Sequence, residues 1–358
     1  MESNANIVKY WKTQPTVLSG MVKRSRELTK EFVELYREVK PTHLYLVASG
    51  TSLNAEEAAI PFLTELLQVD VACMPSSYLH NIHGSRPLIV FLSQGGSSTN
   101  TLKAMEALKD YPAITVTGEE VCEIAARSSH HMVIGCGEEP VGPKTVGYTA
   151  SVMILYLMAL EAALAAGTVA EKEYEEIKEC LMEGISCMDH NMKTFVSWMD
   201  QYGKELEMIK KYFFVGHGSG AAALKEGCLK ILETVKYPAS SYEFEEYLHG
   251  PILAADQETG LFLFPAGGEE ERERFRKLAE CQGKYSAYTY TFTDQAEETT
   301  EKVIGIRRTG RDCTEVFENI VIPQYLAAVV QGALGVADGS PLYDEYTAIC
   351  PTKYNNGK

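Results

Sequence analysis

HLYLVASGTSLNAEEAAIPFLTELL, residues 43–67, runs from an apolar strand through a Gly/Ser turn into a helix. KYFFVGHGSGAAALKEGCLKILETV, residues 211–235, repeats that order. A short, wholly apolar strand followed by a helix is the pattern of a parallel sheet covered on both faces. Placing Gly50 on Gly218 also places Glu65 on Glu233. Working outward, Ser76-Ser77-Tyr78 has a counterpart in Ser240-Ser241-Tyr242, and LIVFLSQGG (88–96) has one in LFLFPAGG (261–268). Each half closes on an apolar helix, VMILYLMALEAALA (152–165) and QYLAAVVQGALG (324–335). An internal repeat of this length predicts an α/β protein with two doubly wound, flavodoxin-like parallel sheets related by duplication. The stretch 171–210 is charged, with Ile177, Leu181, Ile185 and Met188 at helical spacing, and reads as a helical linker.

The 358 residues are enough for two such halves, and 45% apolar content gives each a core. The net charge of −16 repels a phosphate backbone, so nucleic-acid binding is not expected. Any anionic ligand must then be held by local donors, not by the field of the whole chain. Nine scattered cysteines, with no CxxC among them, suit reduced thiols in a cytoplasm; neither a disulfide framework nor a metal site is expected. The N-terminus has no basic-then-apolar leader pattern. Thr149–Ala166 is apolar over a helix length but carries Glu161, and is read as a buried or interface helix, not a membrane span.

Two turns stand where ligands sit in open parallel sheets, beyond the carboxyl ends of strands. One is Ser49-Gly50-Thr51-Ser52. The other is Ser93-Gln94-Gly95-Gly96-Ser97-Ser98-Thr99-Asn100-Thr101, which leads into the helix TLKAMEALKD. Glycines permit the tight turn, amides at a helix start face outward, and hydroxyls add donors: together they form a cradle for phosphate without Lys or Arg. No GK[ST] follows, so this is not a P-loop. A hydroxyl-rich turn is also what a plain helix N-cap looks like.

EGCLKILE (226–233) puts Glu226, Lys230 and Glu233 on one helical face. Such a triplet is commonly a solvated charge pattern, but here the helix is otherwise apolar and starts at a Gly/Ser turn. Sixteen residues after Glu233 comes His249, held before Gly250-Pro251. Histidine titrates near neutrality, as a ring-opening acid/base must. Glu243, Glu245 and Glu246 precede it and either orient it, bind a substrate amine or form a solvated acidic loop. His80, His83, His130, His131 and His217 receive no role.

SGTS (49–52), SQGGSSTNT (93–101), EGCLKILE (226–233) and YLHGP (247–251) together resemble the sugar isomerase (SIS) family. The resemblance covers about Pro41 to Leu342, and is strongest to fructosamine-6-phosphate deglycases and the isomerase portion of glucosamine-6-phosphate synthase. It implies phosphate contacts from Ser93, Gln94, Gly95, Ser97, Ser98 and Thr101. It implies sugar contacts from Gly50, Thr51 and Ser52, with Glu139 and Lys144 of GEEPVGPKTVGYT (137–149), and Glu226 and Lys230, lining the same site. Glu233 would be the base and His249 the ring-opening group, the histidine being supplied across a homodimer or larger assembly. No cofactor and no metal are implied. The chain departs from the family at Gly95, where Ser is common, and at Ser97, where Glu is common. Tyr346 stands near the position of the synthase's carbonyl-reactive lysine, and Lys353 lies beyond it.

The expected divisions are a helical N-terminal segment (1–40), a first SIS domain (41–168), the helical linker (169–210), a second SIS domain (211–340) and a C-terminal tail (341–358) near the active site. No glutaminase domain accompanies them, so ammonia release from glutamine is not expected. The leading functional reading is deglycation: a fructosamine 6-phosphate is converted to glucose 6-phosphate plus an amine by a C1–C2 proton shift. Aldose–ketose isomerisation, or ammonia-dependent formation of glucosamine 6-phosphate, uses the same Glu and His and is the first alternative. A non-catalytic sugar-phosphate sensor is the second.

Overall fold

The computed structural model describes residues 2–295 and 299–354. Three helices open the chain: α1 (Glu2–Lys23), α2 (Ser25–Leu28) and α3 (Lys30–Val39). The first repeat follows as β1 (His43–Ala48), α4 (Thr51–Leu67), β2 (Asp70–Pro75), β3 (Pro87–Ser93), α5 (Thr99–Ala107), β4 (Ala113–Thr117), α6 (Glu123–Ala126), β5 (His131–Val133) and α7 (Val146–Ala166). After α8 (Glu171–Tyr202) comes the second: β6 (Lys211–Gly216), α9 (Gly218–Thr234), β7 (Ala239–Glu243), α10 (Phe244–Leu248), β8 (Thr259–Phe264), α11 (Glu269–Gln282), β9 (Thr289–Thr293), β10 (Val303–Gly305) and α12 (Asp312–Leu334). The last helix is α13 (Pro341–Ile349).

All ladders are parallel, in the orders β2-β1-β3-β4-β5 and β10-β9-β8-β6-β7. Numbered within its own repeat, each sheet has the order 2-1-3-4-5, the flavodoxin-like winding expected from the duplication. Registers test the internal alignment residue by residue. Val47 pairs with Phe91 and Val215 with Leu263, which makes Pro265 the equivalent of Ser93 and Ala266 the equivalent of Gln94, as LIVFLSQGG and LFLFPAGG predict. Ala48 pairs with Pro75 and Gly216 with Glu243, so the residue equivalent to Ser76 is Phe244. The proposed match of Ser76-Ser77-Tyr78 to Ser240-Ser241-Tyr242 is therefore corrected by four positions. A two-serine similarity carries little weight against hydrogen-bond register.

The chain divides into two compact units. The first-sheet unit is Thr16–Glu179 with Gly339–Lys358; the second-sheet unit is Cys180–Asp338 with Met1–Pro15. In the second, Trp11 donates its indole N–H to the Val321 carbonyl at 2.9 Å and Gln14 bonds Gln324 at 3.0 Å, which fastens the start of the chain to α12. The boundary falls inside both α1 and α8.

Helix α7 is buried from Val146 to Ala163, which accounts for a segment long and apolar enough to cross a membrane: it is the core helix of the first-sheet unit. Glu161 survives in that core because Ser25 Oγ and Tyr174 OH donate to it, at 2.5 and 2.7 Å. A buried carboxylate without such donors would cost several kcal/mol.

Candidate active site

In the first-sheet unit the two hydroxyl turns meet. Asn100 Nδ2 donates to Ser49 Oγ at 2.6 Å, Ser49 Oγ lies 2.8 Å from Ser76 Oγ, and Ser76 Oγ lies 3.4 Å from Thr101 Oγ1. Thus SGTS and SQGGSSTNT are parts of one network at the carboxyl ends of β1 and β3. Ser93 Oγ faces Ser98 Oγ at 3.2 Å. Ser98 is the N-cap of α5 yet makes no side-chain capping bond, which argues against the turn being a helix cap and nothing more. Gly96 holds φ +60°, and a Cβ there would lie 2.3 Å from Cys122 Sγ, so this position requires glycine. Backbone bonds from Gly118 N to Gln94 O and from Ile124 N to Gly96 O brace the turn.

A cleft of about 250 Å³ opens beside this turn. Gln94, Gly95, Ser97, Glu139 and Lys144 line it, together with Lys353 from the tail. Ser93, Ser98, Thr101 and the Gly50-Thr51-Ser52 turn are not in its wall; Ser93, Thr101 and Ser52 are buried. The Glu139 carboxylate is already engaged, accepting from Thr145 N, Thr145 Oγ1 and Gly147 N at 2.8 Å each, which caps the start of α7. Lys144 Nζ donates to the Glu139 carbonyl. Gln94 Nε2 donates to Ser151 Oγ at 3.0 Å, which fixes the side chain at the cleft floor. A larger cleft of about 430 Å³ borders Pro112 and Ala113, at the amino end of β4, away from the face where parallel sheets hold ligands.

The second-sheet unit carries the triplet of α9. Glu226 and Lys230 are fully buried, so neither side chain faces solvent; Glu233 is 36% exposed. Lys230 Nζ bonds Glu226 at 2.9 Å and Glu233 at 2.7 Å, joining both carboxylates. Burial pulls the Lys230 pKa down, but the two carboxylates outweigh it and the net displacement is upward. The lysine therefore stays charged and holds Glu233 in one orientation.

His249 is the exposed C-cap of α10, ahead of Gly250 at φ +153° and Pro251. Of the three acidic residues before it, Glu243 accepts from Glu245 N and Glu246 N to cap α10 and bonds His217 Nδ1 at 3.0 Å, while Glu245 pairs with Arg274. Glu246 remains exposed. The pairing of Glu243 with His217, the link made by Asn100 and the placement of Lys353 beside the hydroxyl turn were not read from sequence. His217 does border the second glycine turn, which was the available signal; Lys353 is separated from its cleft by more than two hundred residues of chain, and no local pattern marks it. Among the described residues no cluster of three or more His, Cys, Asp or Glu could hold a metal ion.

Comparison with known proteins bears on both units. The chain is 24% identical over 294 residues to the glutamine–fructose-6-phosphate aminotransferase (isomerizing) of Fusobacterium nucleatum, covering 79% of this chain and 48% of that protein. Its fold matches a Clostridium difficile 630 protein provisionally assigned as a phosphosugar isomerase, with TM-score 0.89, 24% identity and coverage of 98% and 99% of the two chains. It also matches the C-terminal domain of the glucosamine-fructose-6-phosphate aminotransferase of Francisella tularensis, with TM-score 0.81, 19% identity and coverage of 94% and 98%. The fold is the SIS fold. The SIS resemblance read from four short motifs thus extends along the chain, and its sequence relatives include the isomerizing aminotransferases named above. The chain spans about half the length of those relatives. No protein-family model matches it.

Proposed function

We propose that the chain is a phosphosugar-processing enzyme of the SIS type that shifts a proton between C1 and C2 of an open-chain hexose 6-phosphate. One observation carries this reading: duplication has been followed by division of labour. Only the first repeat has the hydroxyl turn; the second has Pro265 and Ala266 at the equivalent of Ser93 and Gln94, followed by Glu269, Glu270 and Glu271 in the first turn of α11, which repel an anion. Only the second repeat has the buried lysine behind a carboxylate. The first has Ala58 and Phe62 at the positions of Glu226 and Lys230, and its Glu65 is plainly exposed. A hydroxyl turn and a lysine-held carboxylate are suited to two of the roles that isomerisation requires, phosphate anchor and base.

In this reading the phosphate is held at the cleft beside Gln94 and Ser97. His249, delivered by a second copy in a cytoplasmic homodimer, moves the proton that opens the ring. Glu233 takes the proton from C1 and returns it at C2. Glu226 and Lys230 position Glu233 and do not touch the sugar. With a fructosamine 6-phosphate as substrate the shift turns the C2 ketone into a C1 imine of glucose 6-phosphate, and water releases the amine. Tyr346, near the position where the synthases carry their carbonyl-reactive lysine, favours this deglycation over amination of fructose 6-phosphate.

Incubation with fructoselysine 6-phosphate should give glucose 6-phosphate and lysine, while fructose 6-phosphate with or without ammonia should not turn over. Reversal of that preference would assign the isomerase reading instead, and inertness toward both would leave a sensor. Glu233→Gln should lower kcat by at least about 100-fold with phosphosugar affinity retained; equal loss of affinity and rate would break the separation of anchor from base.

A further inference from the structure

We propose that the C-terminal strap is part of the anion cleft and that Lys353 supplies the charge that the hydroxyl turn lacks. The inference rests on reading that cleft as the phosphate site. The resemblance implies hydroxyl and amide ligands alone; the tertiary structure adds a cation from the far end of the chain.

Residues 351–354 lie along the turn, joined to it by backbone hydrogen bonds and one isolated bridge. Thr99 N donates to the Thr352 carbonyl at 3.1 Å, and Thr99 Oγ1 reaches the Pro351 and Thr352 carbonyls at 3.2 Å each. Tyr354 N donates to the Ser97 carbonyl at 2.7 Å, and Ser98 and Lys353 form an antiparallel bridge. Directly paired residues of antiparallel strands project their side chains to the same side. Lys353 therefore leaves the backbone on the side of Ser98, and it lines the cleft with Gln94 and Ser97. The Tyr354 ring sits 5.0 Å from the Arg127 guanidinium, which pins the end of the strap.

The charges around the cleft make Lys353 the cation available to a ligand. Its acidic walls are Glu119, Glu138 and Glu139, and its other cation is Lys144, which already donates to the Glu139 carbonyl. Lys353 has no ion pair or side-chain hydrogen bond among the described residues, and it is exposed. A doubly charged phosphate entering a cleft with three carboxylates needs a counter-ion, and an ammonium acting as a point charge is suited to it. Helix α13, which leads into the strap, buries no residue, so the bonds of 351–354 to the turn are what hold the strap there. Ligand and strap then stabilise each other, the phosphate completing the charge of Lys353 and Lys353 closing the wall over the phosphate.

Calorimetric titration of the intact chain with glucose 6-phosphate tests this, with Lys353→Gln and Lys353→Arg beside the wild type and thermal melting to confirm that each is folded. Lys353→Gln should bind on the order of tenfold or more weakly, while Lys353→Arg should stay within about threefold, since the role needs charge and not a primary amine. The wild-type affinity should also fall more steeply with salt than that of Lys353→Gln. Wild-type affinity in Lys353→Gln would overturn the role of Lys353 and leave the phosphate cleft standing. So would an Arg variant as weak as the Gln variant. No binding of glucose 6-phosphate by the wild type would remove the phosphate reading and this inference with it.

Discussion

Lys230 is the residue on which the α9 triplet turns. Its ammonium is buried between two carboxylates of which one is fully buried and the other reaches solvent. Removing one member of such a cluster strands the others, which typically costs about 3–5 kcal/mol. Lys230→Met should therefore lower the urea midpoint by a large margin and, in protein that remains folded, reduce kcat, because Glu233 loses its fixed rotamer. A variant with wild-type stability would show that the ion pairs contribute nothing net. From sequence, spacing alone put the three on one face. Burial of two of them could not be read there, because identical i,i+4 patterns occur on solvated helices.

Helices α9 and α12 cross at the level of Gly227 in the second-sheet unit. A Cβ at Gly227 would lie 2.7 Å from Cβ and Cγ of Pro323, a rigid ring inside α12 that has no rotamer with which to yield. Gly227→Ala should destabilise by about 1–3 kcal/mol through forced separation of the helices, and it should lower kcat as well, since Glu233 rides on the displaced α9. Denaturation and steady-state kinetics on the same preparation decide; an alanine accommodated without loss of stability would mean that α12 shifts freely. The element boundaries themselves were largely legible: HLYLVA, the two glycine turns, the apolar closing helices and the charged helix after residue 170 appear where hydrophobic period and glycine predict them. The Ser76/Ser240 equivalence was not, because register is set by hydrogen bonds between strands and not by similarity of side chains.

Across the molecule, buried acids give stability a distinctive pH dependence. Burial pushes Glu315 up to about 7, against the partial opposition of Arg308, and Glu318 is raised by the same cause. Glu56, in the other unit, is raised well above the carboxylate range by burial. A folded-state pKa above the unfolded one means that the folded chain binds more protons between the two values. This contribution is complete below about 4.5 and is lost as pH rises through about 7. Urea midpoints should accordingly fall from mildly acid to neutral pH, and Glu315→Gln should flatten that fall. A midpoint that rises over the interval would contradict the assignment of these carboxyls as neutral in acid.

By itself the sequence determined the winding, the duplication and the asymmetry of its two copies. These follow from apolar period, glycine placement and the presence or absence of hydroxyls and a lysine at matched positions, all of which are local. Only the tertiary structure decided that Asn100 joins the two hydroxyl turns, that Glu139 is consumed in capping α7, that Glu226 and Lys230 are buried while Glu233 reaches solvent, and that residue 353 returns to the turn at residue 98. Each of these is a contact between side chains or segments distant in sequence, or a matter of solvent exclusion. Neither is encoded in any single window; both arise when whole faces are buried together.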